Sequence, residues 1–231
     1  MFDFGKNEIE LTDGRRLVVD IMQDDTAEDP TENWDCIGTV HSLSNRHIHS
    51  IGRNQALALL GYLPTCPRCD CDDLVDGPCK MGQQMWYCRF CGTWSVDKRV
   101  YPATDCVPLS YWEHSQGVWG VQGSLSGYPW FRFDGVDLAG VWEPDDCCIN
   151  ELNLAGAPGS EERSNRALEL AKSACELYTH YWNGEVYGYS VELLDEIGAT
   201  VADDSCWGFY GWEEVEGAIN EALSSMGVVL S

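Results

Sequence analysis

Two pairs of closely spaced cysteines constrain the fold of this 231-residue chain more than any other feature. Cys66 and Cys69 form the first C-x2-C pair, and Cys88 and Cys91 form the second after eighteen intervening residues. Two residues between thiolates let one tight turn aim both sulfurs at a single ion, and two such pairs at this separation are typical of zinc ribbons. The spacing predicts a four-cysteine ribbon that holds zinc in a closed site with a structural role.

Two further cysteines leave the choice of ligands open. Cys71 and Cys79 lie between the two pairs, and either could replace Cys69 or remain a spare thiol. The same four thiolates would accept iron in a rubredoxin-like site, and a third alternative is a set of buried free thiols and redox cysteines. A nucleobase deaminase is excluded, because such enzymes need a His-x-Glu motif upstream of the cysteine pair and this chain has none.

The charge of the chain is unevenly distributed. It carries 38 acidic and 14 basic residues, a net charge of −24. Residues 36–100 have a net charge of +2, whereas residues 1–35 and 101–231 together have −26. This contrast predicts a separate ribbon module, residues 62–100, set into an acidic α+β body formed by residues 1–61 and 101–231. Hydrophobic residues make up 44 %, enough to predict a folded body rather than a disordered acidic tail.

The hydrophobic patterns predict an α+β fold with a β-rich first half, the inserted ribbon, and a C-terminal helix, β-hairpin and second helix. Alternating runs on either side of Asp13-Gly14 predict an N-terminal hairpin. Ser160 is a predicted N-cap, and Asn183-Gly184 ends the same long helix. Intervals of three and four residues give this helix one apolar stripe, formed by Leu168, Ala171, Cys175, Tyr178 and Trp182.

Residues 1–14 have neither the basic start nor the continuous apolar core of a secretory signal. The longest apolar run, residues 56–63, is shorter than the roughly 20 residues that a membrane helix needs. We therefore expect a cytoplasmic protein. In a reducing compartment, the cysteines outside the ribbon are expected to be buried thiols rather than a disulfide framework.

Four sequence stretches carry a resemblance. They are NWDCIGT at 33–39, PLSYWEHS at 108–115, YWNGEVYGY at 181–189 and DSCWGFYG at 204–211. In these stretches the chain resembles a family of acidic proteins encoded by bacteriophages, archaeal viruses and plasmids. The ribbon departs from that pattern, since it is inserted between the first and second stretches. The resemblance implies a mobile-element setting and a site of action in the cytoplasm of an infected cell, and it transfers no activity.

Charge and resemblance together predict a non-enzymatic acidic binding protein that inhibits a host defence or nucleic-acid-handling protein, of the anti-CRISPR or antirestriction type. Carboxylates on a rigid surface can imitate DNA phosphates and occupy a basic cleft on the partner. The candidate partner-binding residues are a carboxylate row on the long helix and two adjacent acids beside the aromatic run 205–212, namely Glu162, Glu169, Glu176, Asp203 and Asp204.

Three alternatives stay open. The first is a nucleic-acid-binding zinc-ribbon regulator, in which basic and aromatic side chains of the ribbon contact DNA or RNA. These side chains are Arg68, Lys80, Arg89, Lys98 and Arg99, interleaved with Trp86, Tyr87, Phe90 and Trp94. The second is an enzyme of unknown class that uses the region of His41 and His114 together with Asp203 and Asp204. In the third, the acidity serves only solubility.

Overall fold

The structure is a computed structural model that describes residues 2–33, 36–47, 49–62, 65–71, 73–80, 83–96 and 104–229. Helices and strands are mixed in these ranges, which confirms the predicted α+β composition at that level. The chain forms two compact units. The first contains Met1–Asn33, Ser115–Gly117 and Glu176–Ser231, and the second contains Trp34–His114 and Val118–Cys175.

The described strands are β1 (Gly5–Glu10), β2 (Arg16–Gln23), β3 (Thr39–Ser42), β4 (Leu74–Lys80), β5 (Gln83–Cys88), β6 (Trp94–Val96), β7 (Val107–Glu113), β8 (Gly117–Val121), β9 (Gly135–Glu143), β10 (Val186–Leu194) and β11 (Thr200–Tyr210). The described helices are α1 (Pro30–Asn33), α2 (Arg53–Leu59), α3 (Phe131–Asp134), α4 (Asp146–Ala155), α5 (Glu161–Trp182) and α6 (Trp212–Ser225), with a short 3-10 helix at Ser124–Gly127.

The first unit is a four-stranded antiparallel sheet covered on one face by α6. Its strand order is β1-β2-β10-β11, and the predicted N-terminal hairpin pairs β1 with β2. Gly14 has a φ of +85° at the turn, a conformation that residues with a Cβ rarely adopt. Alternate residues of β2 and β10 face α6, so the core between them contains Leu17, Val19, Ile21, Val191, Leu193, Val215 and Ile219.

The second unit contains two separate sheets. The larger has the order β3-β9-β7-β8 and a buried face that includes Val40, Leu109, Trp119 and Trp142. The smaller is the three-stranded sheet β4-β5-β6, in which both pairings are antiparallel. The four paired cysteines lie immediately around this small sheet, at its entry and at the turn between β5 and β6.

Helix α5 begins after Ser160, as predicted, and the Ser160 hydroxyl accepts a hydrogen bond from the backbone N–H of Arg163. Its buried stripe is rotated relative to the prediction, because Leu168 is exposed and its neighbour Ala167 is buried instead. Arg163 lies at the start of the buried stripe. The buried positions are Arg163, Ala167, Ala171, Ala174, Cys175 and Tyr178.

One disulfide overturns part of the expectation that cysteines outside the ribbon are thiols. Cys36 and Cys147 are joined although 111 residues separate them, and their Cα atoms lie 4.9 Å apart. The antiparallel ladder explains the pairing. Thr39 on β3 lies opposite Glu143 on β9 at one end of the ladder. Because the strands are antiparallel, the chain before Thr39 and the chain after Glu143 run side by side, which brings Cys36 close to Cys147. By contrast, Cys148 and Cys175 are buried thiols, as expected.

None of the helices in the described ranges combines the length and the apolar composition that a membrane-spanning helix requires.

Candidate metal centre and partner surfaces

Cys66, Cys69, Cys88 and Cys91 lie close together and could hold a metal ion, because their sulfur atoms all lie within 4.8 Å of one another. The Cys66 and Cys91 sulfurs are 3.6 Å apart, and those of Cys69 and Cys88 are 3.7 Å apart. Four thiolates around a tetrahedral ion with metal–sulfur bonds of about 2.3 Å have sulfur–sulfur separations of roughly 3.8 Å. The spacing of the sulfurs therefore fits a tetrahedral ion.

The first pair is held by a turn that we call knuckle 1, residues 66–71. The backbone N–H of Asp70 donates to the Cys66 carbonyl at 2.9 Å, and the Cys66 N–H donates to the Cys71 carbonyl at 2.8 Å. Asp70 has a φ of +54°, in the left-handed region where Asp is one of the few tolerated side chains. This tight turn points two sulfurs at the same position.

The second pair is held by an equivalent turn, knuckle 2, residues 88–93. The Gly92 N–H donates to the Cys88 carbonyl at 2.9 Å, and the Cys88 N–H donates to the Thr93 carbonyl at 3.0 Å. Gly92 has a φ of +70°. The backbone N–H of Cys91 also donates to the Cys88 sulfur at 3.4 Å, as expected for a turn that stabilises thiolates.

The sulfurs of the two knuckles are partly shielded from solvent. Cys66 and Cys88 are buried, whereas Cys69 and Cys91 are partly exposed. The Thr93 hydroxyl lies 3.1 Å from the Cys91 sulfur, and its hydrogen bond lowers the pKa of Cys91 to about 6. A lowered pKa favours the thiolate, which is the form that binds a metal cation.

The structure distinguishes between the two alternative cysteines. The Cys71 sulfur lies 3.2 Å from the Cys88 sulfur and 3.4 Å from the Cys69 sulfur, so Cys71 touches the centre. The backbone of Cys79 lies in β4, opposite Gln84 of β5, and its side chain lies outside the described residues.

The predicted carboxylate row lies on α5 with its three members exposed. Glu169 is bound 2.6 Å from the guanidinium of Arg166, which also contacts Glu151. Within the part of the chain that the structure describes, Glu162 and Glu176 have no ion-pair partner. Of the three carboxylates in the row, Glu169 is already in an ion pair, and only those of Glu162 and Glu176 are free to bind a partner.

Asp203 and Asp204 have different environments on β11. Asp204 accepts a 2.9 Å hydrogen bond from the hydroxyl of Tyr189, and this contact contributes to a raised pKa of about 12 for Tyr189, after the larger effect of burial. Asp203 faces Glu192 directly across the β10–β11 ladder, and both are exposed. Like charges opposite each other in a sheet are destabilising. Neither carboxylate has a basic partner among the described residues.

The basic side chains of the ribbon are partly engaged. Arg89 pairs with Asp73 at 3.0 Å, and Arg68 donates to the Thr93 hydroxyl at 3.2 Å. Two aromatic rings of the ribbon are well exposed, Phe90 at 78 % and Trp94 at 54 %, whereas Trp86 is buried. The side chain of Lys80 and the residues Lys98 and Arg99 lie outside the described residues.

The histidines considered for catalysis have structural contacts in the second unit. His41 contacts Glu143 at 2.7 Å, and the exposed His114 contacts Asp134 at 3.3 Å. His47 is buried between the rings of Tyr111 and Trp119, with Nδ1 2.7 Å from the Ser42 hydroxyl. The residues proposed with them for an enzyme, Asp203 and Asp204, belong to the first unit.

A group of four aromatic rings in the second unit, three of them exposed, was missed by sequence reasoning. We call it the aromatic surface: Trp112, Tyr128, Trp130 and Phe133. The Trp112 and Tyr128 rings are 5.3 Å apart, and the Trp130 and Phe133 rings are 6.2 Å apart. Trp130 and Phe133 are 66 % and 74 % exposed. The only signal in the sequence was the cluster of aromatic residues at 128–133, and such a cluster is equally typical of a buried hydrophobic core.

Two polar contacts hold the aromatic surface together. The Trp112 indole N–H donates to the Pro129 carbonyl at 3.1 Å, which ties β7 to the segment that contains Trp130. The His114–Asp134 contact ties the end of β7 to α3. Trp130 has a φ of +63°, an uncommon conformation for a bulky residue, and its side chain is exposed.

Comparisons with known proteins found no match to this chain among protein-family models, curated proteins or solved structures. The function is therefore inferred from the chain's own residues.

Proposed function

We propose that this protein is a non-enzymatic binding protein that engages a basic, nucleic-acid-handling or defence protein of its host, and that a zinc ion holds its ribbon. The aromatic surface is the observation that carries the proposal. Soluble proteins rarely expose contiguous large apolar side chains, and such patches mark interaction sites. Tryptophan and other aromatic residues are also the anchors that dominate the energy of protein interfaces.

The chemistry around the aromatic surface favours a cationic partner. Glu113 is exposed beside Trp112, and the Asp134 carboxylate follows Phe133 in α3. The faces of aromatic rings attract the ammonium and guanidinium groups of lysine and arginine. Residues 1–35 and 101–231, which include the aromatic surface, have a net charge of −26, which steers basic surfaces towards them and repels acidic ones.

Inhibition would follow from occupation of a nucleic-acid site. Glu192 and Asp203 place two unpaired carboxylates side by side on an exposed sheet face, a local density of negative charge that resembles neighbouring phosphates. A partner that binds DNA or RNA through lysine and arginine offers the complementary surface. The resemblance to acidic proteins of phages, archaeal viruses and plasmids supports an anti-CRISPR or antirestriction role in the cytoplasm of an infected cell.

Zinc is the ion that we propose for the four-cysteine centre. Four soft thiolates in a closed tetrahedron favour Zn²⁺, which has no redox chemistry and accepts this geometry without strain. Native mass spectrometry of the full chain tests this assignment. We expect one zinc ion per chain, lost in Cys88→Ser and kept in Cys206→Ser, whose parent thiol is exposed and distant in sequence. Iron in the wild-type protein would contradict the assignment.

A titration with defined peptides tests the partner chemistry. A twelve-residue peptide of lysine and arginine should bind the full chain, and a glutamate-rich peptide of the same length should not. Trp130→Ala should weaken binding of the basic peptide about fivefold or more, as expected for an interface anchor. Phe90→Ala removes an equally exposed ring from the ribbon and is the matched control. Equal losses in the two variants would contradict the assignment of the aromatic surface.

The biological partner is tested by capture from a host extract on the immobilised protein. A captured protein supports the proposal if duplex DNA displaces it, if binding weakens between low and high salt, and if Trp130→Ala reduces capture. Acidic partners, or partners indifferent to salt and DNA, would count against it.

A second candidate function is nucleic-acid binding by the ribbon. It is favoured by the exposed rings of Phe90 and Trp94 near Arg68, because unpaired bases stack on such rings without sequence preference. Filter binding of an oligothymidine to the full chain at low salt tests it. Phe90→Ala should reduce retention and Trp130→Ala should not. Absence of retention by the wild type would remove this candidate.

A further inference from the structure

The two knuckles have the same backbone hydrogen bonds but differ at one equivalent position. Knuckle 1 closes on the carbonyl of Cys71, and knuckle 2 closes on the carbonyl of Thr93. Cys71 and Thr93 are therefore structural counterparts. In knuckle 2 the side chain at this position is a hydroxyl, 3.1 Å from the Cys91 sulfur. In knuckle 1 it is a thiol, 3.4 Å from the Cys69 sulfur.

This difference matters because a thiol can be oxidised and a hydroxyl at this position cannot. The Cys71 sulfur also reaches across to knuckle 2, where it lies 3.2 Å from the Cys88 sulfur. Cys71 is partly exposed, whereas Cys88 is buried. A small oxidant therefore reaches Cys71 before it reaches Cys88. Four thiolates complete a tetrahedral zinc site, so the fifth sulfur is left without a bond to the metal.

We propose that Cys71 is an oxidative modification site at which a peroxide opens the metal centre through a Cys71–Cys88 disulfide. The proposal rests on the zinc centre proposed above and adds its regulation. Loss of the Cys88 thiolate leaves the ion with three ligands from the original set, so zinc is released. The expected consequence is unfolding of the small sheet, because structural zinc supplies folding free energy in such modules.

The chemical step balances with hydrogen peroxide as the oxidant. The Cys71 sulfur, after losing its proton, attacks one peroxide oxygen; the O–O bond breaks, and a sulfenic acid and hydroxide form. The Cys88 thiolate then attacks the Cys71 sulfur, the S–S bond forms, and a second hydroxide leaves. Protonation converts both hydroxides to water. The two sulfurs together lose two electrons, and the peroxide is reduced to two water molecules.

Zinc release from the full-length, zinc-loaded protein tests the proposal. A chromogenic zinc indicator follows release after addition of hydrogen peroxide, and mass spectrometry of peptides identifies the disulfide. The wild type should release zinc in a fast phase and yield the Cys71–Cys88 disulfide. Cys71→Thr, which copies the residue of knuckle 2, should bind zinc as the wild type does and lose the fast phase. Cys206→Ser should behave as the wild type.

A second variant tests whether adding a thiol at this position has the opposite effect to removing one. Thr93→Cys places a thiol at the equivalent position of knuckle 2 and should accelerate release. The inference is overturned if Cys71→Thr releases zinc at the wild-type rate, or if the disulfides formed lack Cys71. Zinc content before peroxide is added separates the two proposals, because a wild type without zinc overturns the metal assignment itself.

Discussion

The guanidinium of Arg163 and the carboxylate of Asp105 form two parallel hydrogen bonds, each 2.7 Å long, across 58 residues of sequence. Arg163 is 4 % exposed, and its Nη1 donates to the Asn153 side-chain oxygen at 2.9 Å and to the Gly156 carbonyl at 3.2 Å. This bidentate pair joins the first turn of α5 to the segment before β7. A buried charge of this kind is tolerated only because its partner and hydrogen bonds are all present.

Asp105→Asn should therefore destabilise the protein strongly. The substitution leaves the buried guanidinium without its counter-charge, which costs about 3 kcal/mol or more in the free energy of unfolding. Urea unfolding measures the loss. Glu151→Gln is the matched control, because its partner Arg166 is partly exposed and solvent screens this pair, so a much smaller loss is expected. Equal losses of unfolding free energy in the two variants would show that the Arg163–Asp105 pair stabilises the protein no more than the Arg166–Glu151 pair does.

Metal removal should unfold the ribbon and leave the first unit intact. Among the described residues of the small sheet and the two knuckles, the buried side chains are Cys66, Trp86 and Cys88, so we expect the stability of the sheet to depend on the ion. A chelator should increase hydrogen exchange at the amides of β5, and the amides of Val191 and Leu193 in β10 should keep their protection. Unchanged exchange in β5 would mean that the sheet does not need a metal ion.

Loss of the Cys36–Cys147 disulfide should destabilise the second unit. A cross-link that spans 111 residues restricts the unfolded chain, which corresponds to about 4–5 kcal/mol in the chain-entropy model. Cys147→Ser should lower the urea midpoint accordingly, and Cys206→Ser should not. Alkylation of Cys36 in the unreduced wild type would contradict the disulfide directly.

His47 should make stability depend on pH. Its burial lowers the pKa of the imidazole below 6.5. The unfolded chain therefore takes up a proton at His47 that the folded chain does not, so the free energy of unfolding falls as the pH drops below about 6.5 and stops falling below the folded pKa. The slope should be shallower in His47→Gln. An NMR titration midpoint of His47 at or above 6.5 would contradict this account.

Local features of the fold could be predicted from the sequence. Asp13-Gly14 indicated the first hairpin, and Ser160 and Gly184 indicated the ends of the long helix. The two C-x2-C pairs indicated the cysteine cluster, because two residues within one turn place their sulfurs together whatever the rest of the chain does. Each of these features depends on a few neighbouring residues and on backbone conformations that only certain residues adopt.

Contacts between distant residues could not be predicted, since they depend on strand register and on which face of a helix is buried. The ladder between β3 and β9 brings Cys36 close to Cys147, and the rotation of α5 buries Ala167 in place of Leu168. The register of β10 and β11 sets Glu192 opposite Asp203. A shift of one residue in either ladder would send these side chains to other neighbours.

By itself, the sequence determined the cysteine turns, the hairpin and helix ends, and the contrast between the weakly basic segment 36–100 and the acidic residues on either side of it. Only the tertiary structure decided which carboxylates have no partner among the described residues, which rings form the aromatic surface, and which further thiol touches the four-cysteine cluster. The physical reason is that composition sets the total charge and apolar area, whereas packing determines which groups are buried against one another and which remain exposed.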